Sequence, residues 1–567
     1  MKKSVLTLSI AAAVAGLGFV GGAQAMTTLG GATAASDLRL NQDGIGQILM
    51  VPYYTAQAEN ATLINLVNTD TINGKAVKVR FRGAANSDDV FDFQVFLSPG
   101  DVYAFNISRN SAGLAFLTTT DNSCTKPAKA VLTATPFVIS RLDSALDAGG
   151  KVNGTREGYV EIFNMGDIPK ASGFVGPVTG VGSSAGVVTS ATNADNALYT
   201  AIKHVNKVAP CSGTAWTALD NTNLAYTTDG TAGGSRLAGL LPPTTGLLAN
   251  TIIINVVGAA AWSASATAIQ ATNGAGVAAA GNVVYWPQTG VGVNTALAPT
   301  AIDAFTADPL LRSANVWRFN TATNAYVADA LPGVIAAYYD LPDMSTPYFT
   351  GANALGQATS LTAAIAASSA TSEFLTDPTI NAKTDWTFSM PTRRYNVSLD
   401  YAAIGAGDDG RRFTDLFATE VPPAAATFAT AYFNAGNTLV TSRQICVKGI
   451  TTQVWDREET LLADTTGVVV SPSTPADPLS FCGEASVLSI NNGGISAAGS
   501  GALKAQVSVK DLDVTYVDGW MKISTPSATA IPGGVAGLPV LGSAYNRANS
   551  GAGAQTFGAS HAHRFAR

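Results

Sequence analysis

Ala61-Thr-Leu-Ile-Asn-Leu-Val-Asn68, then Asn73-Gly74, then Lys75-Ala-Val-Lys-Val-Arg-Phe81 is the stretch on which the fold class turns. In the second run Val77, Val79 and Phe81 take one side, and Lys78 and Arg80 take the other. Strict alternation of this kind marks a strand with one dry and one wet side, as in an antiparallel sheet. Asn73-Gly74 tolerates the positive φ of a type I′ turn, so the two runs read as strand, turn, strand. Working outward, residues 90–97 put Phe91, Phe93, Val95 and Leu97 on one face, turn at Pro99-Gly100 and resume at 101–105. Strands are also expected at 135–140 and 158–164, closing a first β-sandwich domain over 26–170.

Beyond residue 170 the texture changes. Residues 171–380 are rich in Gly, Ala, Thr and Ser, with helix-like segments at 194–205 and 354–375 and apolar strands near 252–257 and 283–286. This middle region reads as a mixed elaboration carried by loops, or a separate outward-facing domain. Strand character returns over 381–531, at 386–390, 395–399, 429–433, 439–440, 449–455, 487–490, 505–510 and 514–524. Residues 532–567 are small and polar and read as a flexible tail. The expected class is therefore mainly β, with antiparallel β-sandwich domains around a Gly/Ala/Thr-rich middle. No repeat of fixed period is present, which weakens solenoid and propeller readings.

The N-terminus fixes the compartment. Lys2-Lys3, an apolar run over 5–20 and the small-residue ending Ala23-Gln24-Ala25 form a secretory signal over 1–25. That apolar run is too short and too glycine-interrupted to remain as a membrane span. Loss of Lys2 and Lys3 takes the formal charge from -6 to about -8. A mildly acidic chain poor in lysine and arginine is a weak partner for nucleic acid or anionic lipid. Only 13% of residues are charged, about half the usual share, so copies of the chain repel one another weakly. Cys124, Cys211, Cys446 and Cys482 are an even set in an exported chain, which predicts two disulfides out of three possible pairings. Cys124 with Cys211 and Cys446 with Cys482 is the favoured pairing, because each closes a loop within one region. Zinc is the rival reading, but no C-x-x-C spacing supports it.

No catalytic motif stands out. Gly182-Ser183-Ser184-Ala185-Gly186 fits the G-x-S-x-G pattern, yet its glycine-rich flanks offer neither the strand before Ser184 nor the helix after it that a nucleophile elbow needs. The histidines are His204, in an expected amphipathic helix, and His561 and His563 in the tail, where both could face one side of an extended segment and reach a metal. Carboxylates cluster at Asp88, Asp89 and Asp92, at Asp408 and Asp409, at Asp456, Glu458 and Glu459, and at Asp511, Asp513 and Asp518. Calcium takes six to eight hard oxygens, and loops with paired carboxylates supply some of them. Asp88, Asp89, Asp408, Asp409, Asp456, Glu458, Asp511 and Asp513 are thus calcium candidates, with the polar strand end or salt-bridged turn as the plain alternative at each. No EF-hand or nonapeptide repeat is among them, and no other cofactor is expected.

Gly46-Gln47 through Pro52-Tyr53-Tyr54-Thr55, Asn68-Thr69, Lys75 to Phe81 and Leu97-Ser-Pro-Gly-Asp-Val102 resemble the opening of a group of secreted Gram-negative surface proteins. Asp385-Trp386, Pro391-Thr392-Arg393-Arg394 and Trp455-Asp456-Arg457-Glu458-Glu459 resemble that group's later blocks. The group includes surface-layer proteins of beta-proteobacteria, some of which coat tubular outer-membrane extensions called nanopods. The resemblance covers both β regions and not the middle. It implies a non-enzymatic subunit of a two-dimensional lattice, with itself and the outer-membrane surface or lipopolysaccharide as partners, and it brings no catalytic residues. An outer-membrane porin is the alternative, since porin strands alternate over about ten residues. A secreted hydrolase using Ser184 is the third.

Overall fold

The computed structural model describes residues 35–170, 195–220, 239–285, 316–320, 325–329, 354–405, 407–414, 432–462, 479–493, 499–526, 536–549 and 556–567, with short pieces at 288, 322–323, 344–346 and 348. The fold is mainly β, with 49% strand against 12% helix. The signal segment and the Ser184 pattern lie outside the described residues.

The first half contributes β1 (Asp37–Asn41), β2 (Ile48–Thr55), β3 (Asn60–Asn68), β4 (Asn73–Gly83), β5 (Asp89–Leu97), β6 (Val102–Arg109), β7 (Ala115–Thr118), β8 (Cys124–Lys126), β9 (Glu157–Pro169), β10 (Leu247–Asn255), β11 (Ala260–Ser265) and β12 (Thr267–Thr272). They form two facing sheets, β1-β12-β2-β9-β4-β5-β8 and β11-β10-β3-β6-β7. Val77, Val79 and Phe81 from the first and Ile64 and Leu66 from the second meet in one core, where Phe137 stacks on Phe91 at 4.6 Å. This is the expected antiparallel sandwich.

Its wiring differs from the expectation in two ways. β3 and β4 are not a hairpin: β3 pairs with β6 and β10, and β4 with β5 and β9. Both strands carry an apolar face, and placing them in opposite sheets lets those faces close on each other. The turn between them is organised by Asp70, whose Oδ1 accepts from Ile72 and Asn73, so Asn73-Gly74 already belongs to β4. Gly74 is needed for close approach and not for a positive φ; a Cβ there would lie 2.7 Å from Ile202 Cδ1 and 2.8 Å from Leu97 O. Second, the sandwich does not end at 170, since β10, β11 and β12 come from the middle region and complete both sheets. The strand expected at 135–140 is reduced to a single bridge between Phe116 and Pro136, and 283–285 form a buried segment without strand pairing.

The second half contributes β13 (Val316–Asn320), β14 (Ala325–Asp329), β15 (Ala366–Ala367), β16 (Ser369–Leu375), β17 (Lys383–Ser389), β18 (Val397–Leu399), β19 (Asp408–Thr414), β20 (Thr438–Thr441), β21 (Gln444–Asp456), β22 (Leu479–Cys482), β23 (Ala485–Ile490), β24 (Val509–Leu512), β25 (Asp518–Ser524), β26 (Leu538–Pro539), β27 (Ser543–Asn549), β28 (Thr556–Ala562) and β29 (Arg564–Ala566). Sheets β24-β23-β17-β27-β28 and β20-β21-β25-β16-β29 enclose a second core around Trp386, Phe388, Phe481, Met521 and Ile523. Among the described strands all pairings are antiparallel except β23 with β24. The expected helix over 354–375 stops at Ile365, because Ala366 onward is drawn into β15 and β16. The helix expected over 194–205 covers only Ala197–Ile202.

The flexible-tail expectation for 532–567 is overturned for the described part. β27 pairs with β17 and β28, and β29 pairs with β16. His563 is buried against Trp386 and Phe388, with ring centroids 5.0 and 4.8 Å away. Small polar residues read as a tail, but as strands at or next to a sheet edge they need only backbone hydrogen bonds and a few inward side chains.

The two halves share an interior. Tyr53, Ile253 and Trp262 of the first pack with Val487, Leu503 and Tyr545 of the second, and Trp262 Nε1 donates to Asn546 O at 2.7 Å. Glu157 accepts from the backbone amides of Gln506 and Val507, and the amides of Glu484 and Ala485 donate to Ala84 O.

Candidate functional site

The outward face of β4 is not wet. Lys78, Arg80 and Arg82 are completely buried, because the first sheet is covered on its second side by the middle region and by the second half. Neighbouring strands supply the anions. Lys78 Nζ lies 2.5 Å from Asp92 Oδ1, and Arg80 lies 3.4 Å from Asp89 and 3.5 Å from Asp92. Arg82 reaches Glu161 on β9 at 3.5 Å, and Arg394 of the second half approaches the same Glu161 at 3.4 Å. Beside it, Arg393 pairs with Glu484 at 2.7 Å and donates to the carbonyls of Ile445 and Gly483. Gln288 closes the layer, bonded to Lys78 and Asp92.

The same pattern recurs elsewhere in the interior. Among the described residues the buried cations are Lys75, Lys78, Arg80, Arg82, Lys126, Arg393, Arg394, Arg411 and Arg412. The buried anions among them are Asp88, Asp89, Asp92, Asp143, Glu157, Glu161, Asp167, Asp385 and Glu484, an equal number. A buried charge is tolerated only when paired or hydrogen-bonded. Lys78, Arg80, Arg82, Arg393 and Arg394 meet Asp89, Asp92, Glu161 and Glu484. Lys126, Arg411 and Arg412 reach the less buried Asp220, Asp409 and Asp408, and Glu157 and Asp385 accept from backbone amides. Burial pushes several of these carboxyls up: Asp88 to about 7 despite the hydrogen bond from Tyr401, and Glu157 to about 7 despite the amides it accepts. Burial also raises Asp89, to about 6, against the pull of Arg80 and Arg82. Glu484, Asp167 and Asp385 are raised for the same first reason. Perturbed groups of this kind mark either function or structural ion pairing. Here every member is sealed from solvent, so the layer works as a charged seam between sheets.

The calcium candidates scatter. Asp88 is held by Tyr401 Oη at 2.7 Å, and Asp89 is inside the ionic layer. Asp408 and Asp409 are taken by Arg412 at 3.1 Å and Arg411 at 2.6 Å. Asp456 accepts the amides of Glu458 and Thr460, which makes it a turn-former, and Glu458 lies on the surface beside Arg457. Asp511 accepts from the Asn492 amide, and Asp513 is exposed. Among the described residues no group of three or more His, Cys, Asp or Glu is gathered as a metal's ligand set. His561 and His563 part company: His563 is buried, its Nε2 3.2 Å from Thr387 O and its pKa lowered to about 3 by burial, whereas His561 lies 3.8 Å from Glu373. His204 sits beyond its helix, 3.4 Å from Asp101.

The disulfides are Cys124–Cys211 and Cys446–Cys482, the favoured pairing. They point to an oxidising environment outside the cytoplasm. No described helix is long and apolar enough to cross a membrane.

Two surface features were not foreseen. One is a shallow polar groove of about 500 Å³ beside Glu59, Asn60, Arg109 and Gly113. The other is Trp455 stacked on Trp520 across β21 and β25, with ring centroids 3.9 Å apart. Each tryptophan reads as a strand residue in sequence, but only the register of Trp455 with Trp520 brings them together. No protein-family model, curated protein or solved structure matches the chain.

Proposed function

We propose that this chain is a structural cell-surface protein that associates with copies of itself into a two-dimensional layer on the outer membrane. One observation carries the reading: among the described residues, nine lysines and arginines and nine aspartates and glutamates are withdrawn into the interior. An already sparse charge is thereby removed further from the surface, leaving a Thr-, Ser-, Asn- and Gly-rich exterior that repels copies weakly. The bonded junction between the halves adds stiffness, which a subunit needs if heterologous contacts are to propagate as a sheet or tube. The secretory signal and the resemblance to surface-layer proteins agree with this role. No catalytic residue is required, and lipopolysaccharide or the outer-membrane surface is the anchoring partner. Calcium enters as a bridge between copies, through surface carboxylates such as Glu458 and Asp513.

A porin would close its strands into one barrel. The described strands instead lie in six open sheets around apolar cores. The deciding experiment is to purify the mature chain without detergent, add and then chelate calcium, and examine it by negative-stain electron microscopy. Ordered sheets or tubes that dissolve on chelation are expected. Dispersed single particles in both conditions would overturn the reading.

A further inference from the structure

Within the sheet β20-β21-β25-β16-β29, one face closes the second core and the other is open. Val454, Met521 and Phe374 point inward, whereas their alternate neighbours form ranks on the outside. Trp455, Trp520 and Glu373 stand in register in one rank, and Gln453, Lys522, Thr371 and Arg564 in the next. The two indoles stack nearly parallel, at 8°, so each covers one face of the other. Trp520 is 40% exposed and Glu373, its neighbour on the far side, is 72% exposed in its side chain. Gly519 lets β25 close against the carbonyl of Trp455 immediately beside the pair.

We propose that this open face binds a neutral glycan, with a sugar ring stacked on Trp520. The inference goes beyond self-assembly and does not depend on it. A pyranose presents an apolar C–H face and a rim of hydroxyls. An indole offers a flat apolar surface, and polar side chains placed around it fix orientation. Gln453 both donates and accepts, Thr371 does the same through its hydroxyl, Glu373 accepts, and Lys522 donates.

Charge selects a neutral ligand. Arg457 is held by Asp518 at 3.0 Å and Glu458 at 3.6 Å, and His561 approaches Glu373 at 3.8 Å. Glu373, Asp518 and Glu458 offset Lys522, Arg564 and Arg457 in number, so the face has no net charge to draw a phosphate or an acidic chain. Size argues against a second protein. Strands about 4.8 Å apart and side chains repeating every ~6.8 Å make a patch of roughly 200 Å². A stable protein interface needs about 800 Å² on each partner. A short run of sugar rings fits that area.

The test uses the full mature chain and hexamers of glucose in β1,4 and α1,4 linkage, mannose and N-acetylglucosamine, read by tryptophan fluorescence and calorimetry. At least one hexamer is expected to shift the emission and saturate, with an affinity unchanged between low and high salt. Trp520→Ala should weaken that binding by about tenfold, the loss of one stacking contact. Trp520→Phe should retain part of it, and Glu373→Gln should weaken it with both indoles in place. Trp520→Ala also loses the stack on Trp455 and should lower the urea midpoint modestly while keeping one cooperative transition, and Glu373→Gln should keep the parent's midpoint, which separates lost binding from lost fold. The proposal is overturned if no hexamer shifts the emission, if Trp520→Ala binds as tightly as the parent, or if binding is lost in salt. It is equally overturned if Trp520→Ala alters only the association of copies, which would make the face a contact between subunits.

Discussion

Asp385 accepts from three successive backbone amides, Gly501, Ala502 and Leu503, and from the hydroxyls of Ser489 and Ser500. Five donors on one buried carboxylate hold the 499–505 segment against β17 and β23. Asp385→Ala should lower stability by about 3–5 kcal/mol, because the donors are left buried without an acceptor. Urea denaturation and faster proteolysis within 499–505 would register it; an unchanged midpoint would show that the donors find other partners. A second case is Glu161, between Arg82 and Arg394. Removing one member of a buried ion network is far worse than replacing a whole pair by apolar groups. Glu161→Leu should therefore destabilise more than Glu161→Leu combined with Arg394→Met, as a comparison of urea midpoints would reveal.

Among the elements, the C-terminal strands carry the sharpest expectation. Truncation after residue 555 removes β28 and β29, uncovers the edges of β27 and β16, and takes His563 away from Trp386 and Phe388. Exposed edges invite pairing with other chains. The truncated protein should unfold at a lower temperature and precipitate on heating, whereas a dispensable tail would leave the melting profile unaltered. Cys124–Cys211 closes a separation of 87 residues and fastens the 195–220 segment to β8. Loop-closure entropy puts its contribution at about 4–5 kcal/mol, so a Cys124→Ser, Cys211→Ser double variant should show a loss of that order in urea.

For the molecule as a whole, the shared interior makes the two halves one cooperative unit. Calorimetry should give a single unfolding transition; two well-separated peaks would mean that the seam contributes little. Asp88, Asp89 and Glu157 bind protons more tightly folded than unfolded, since burial raises them to about 7, 6 and 7. A native state that holds more protons loses stability as pH rises. These three groups therefore favour the fold below pH 4 and withdraw that contribution between about pH 4 and 7. Urea midpoints across this window should fall with rising pH, and a rise would mean that other carboxylates with lowered pKa values dominate.

Sequence alone determined the β class and about half of the described strands, and it favoured the disulfide pairing that is found, because alternation of apolar and polar residues and cysteine spacing are local signals. Val77, Val79 and Phe81 announce a buried face wherever their sheet ends up. It could not determine what covers the other face: Lys78, Arg80 and Arg82 look solvated, and only a partner layer bringing Asp92, Glu161 and Arg394 turns them inward. For the same reason β3 and β4 looked like a hairpin and the last strands like a tail, since strand pairing depends on residues far away in the chain. The Trp455–Trp520 platform follows that rule. Each indole is visible in sequence, and their stacking exists only once register places β21 beside β25.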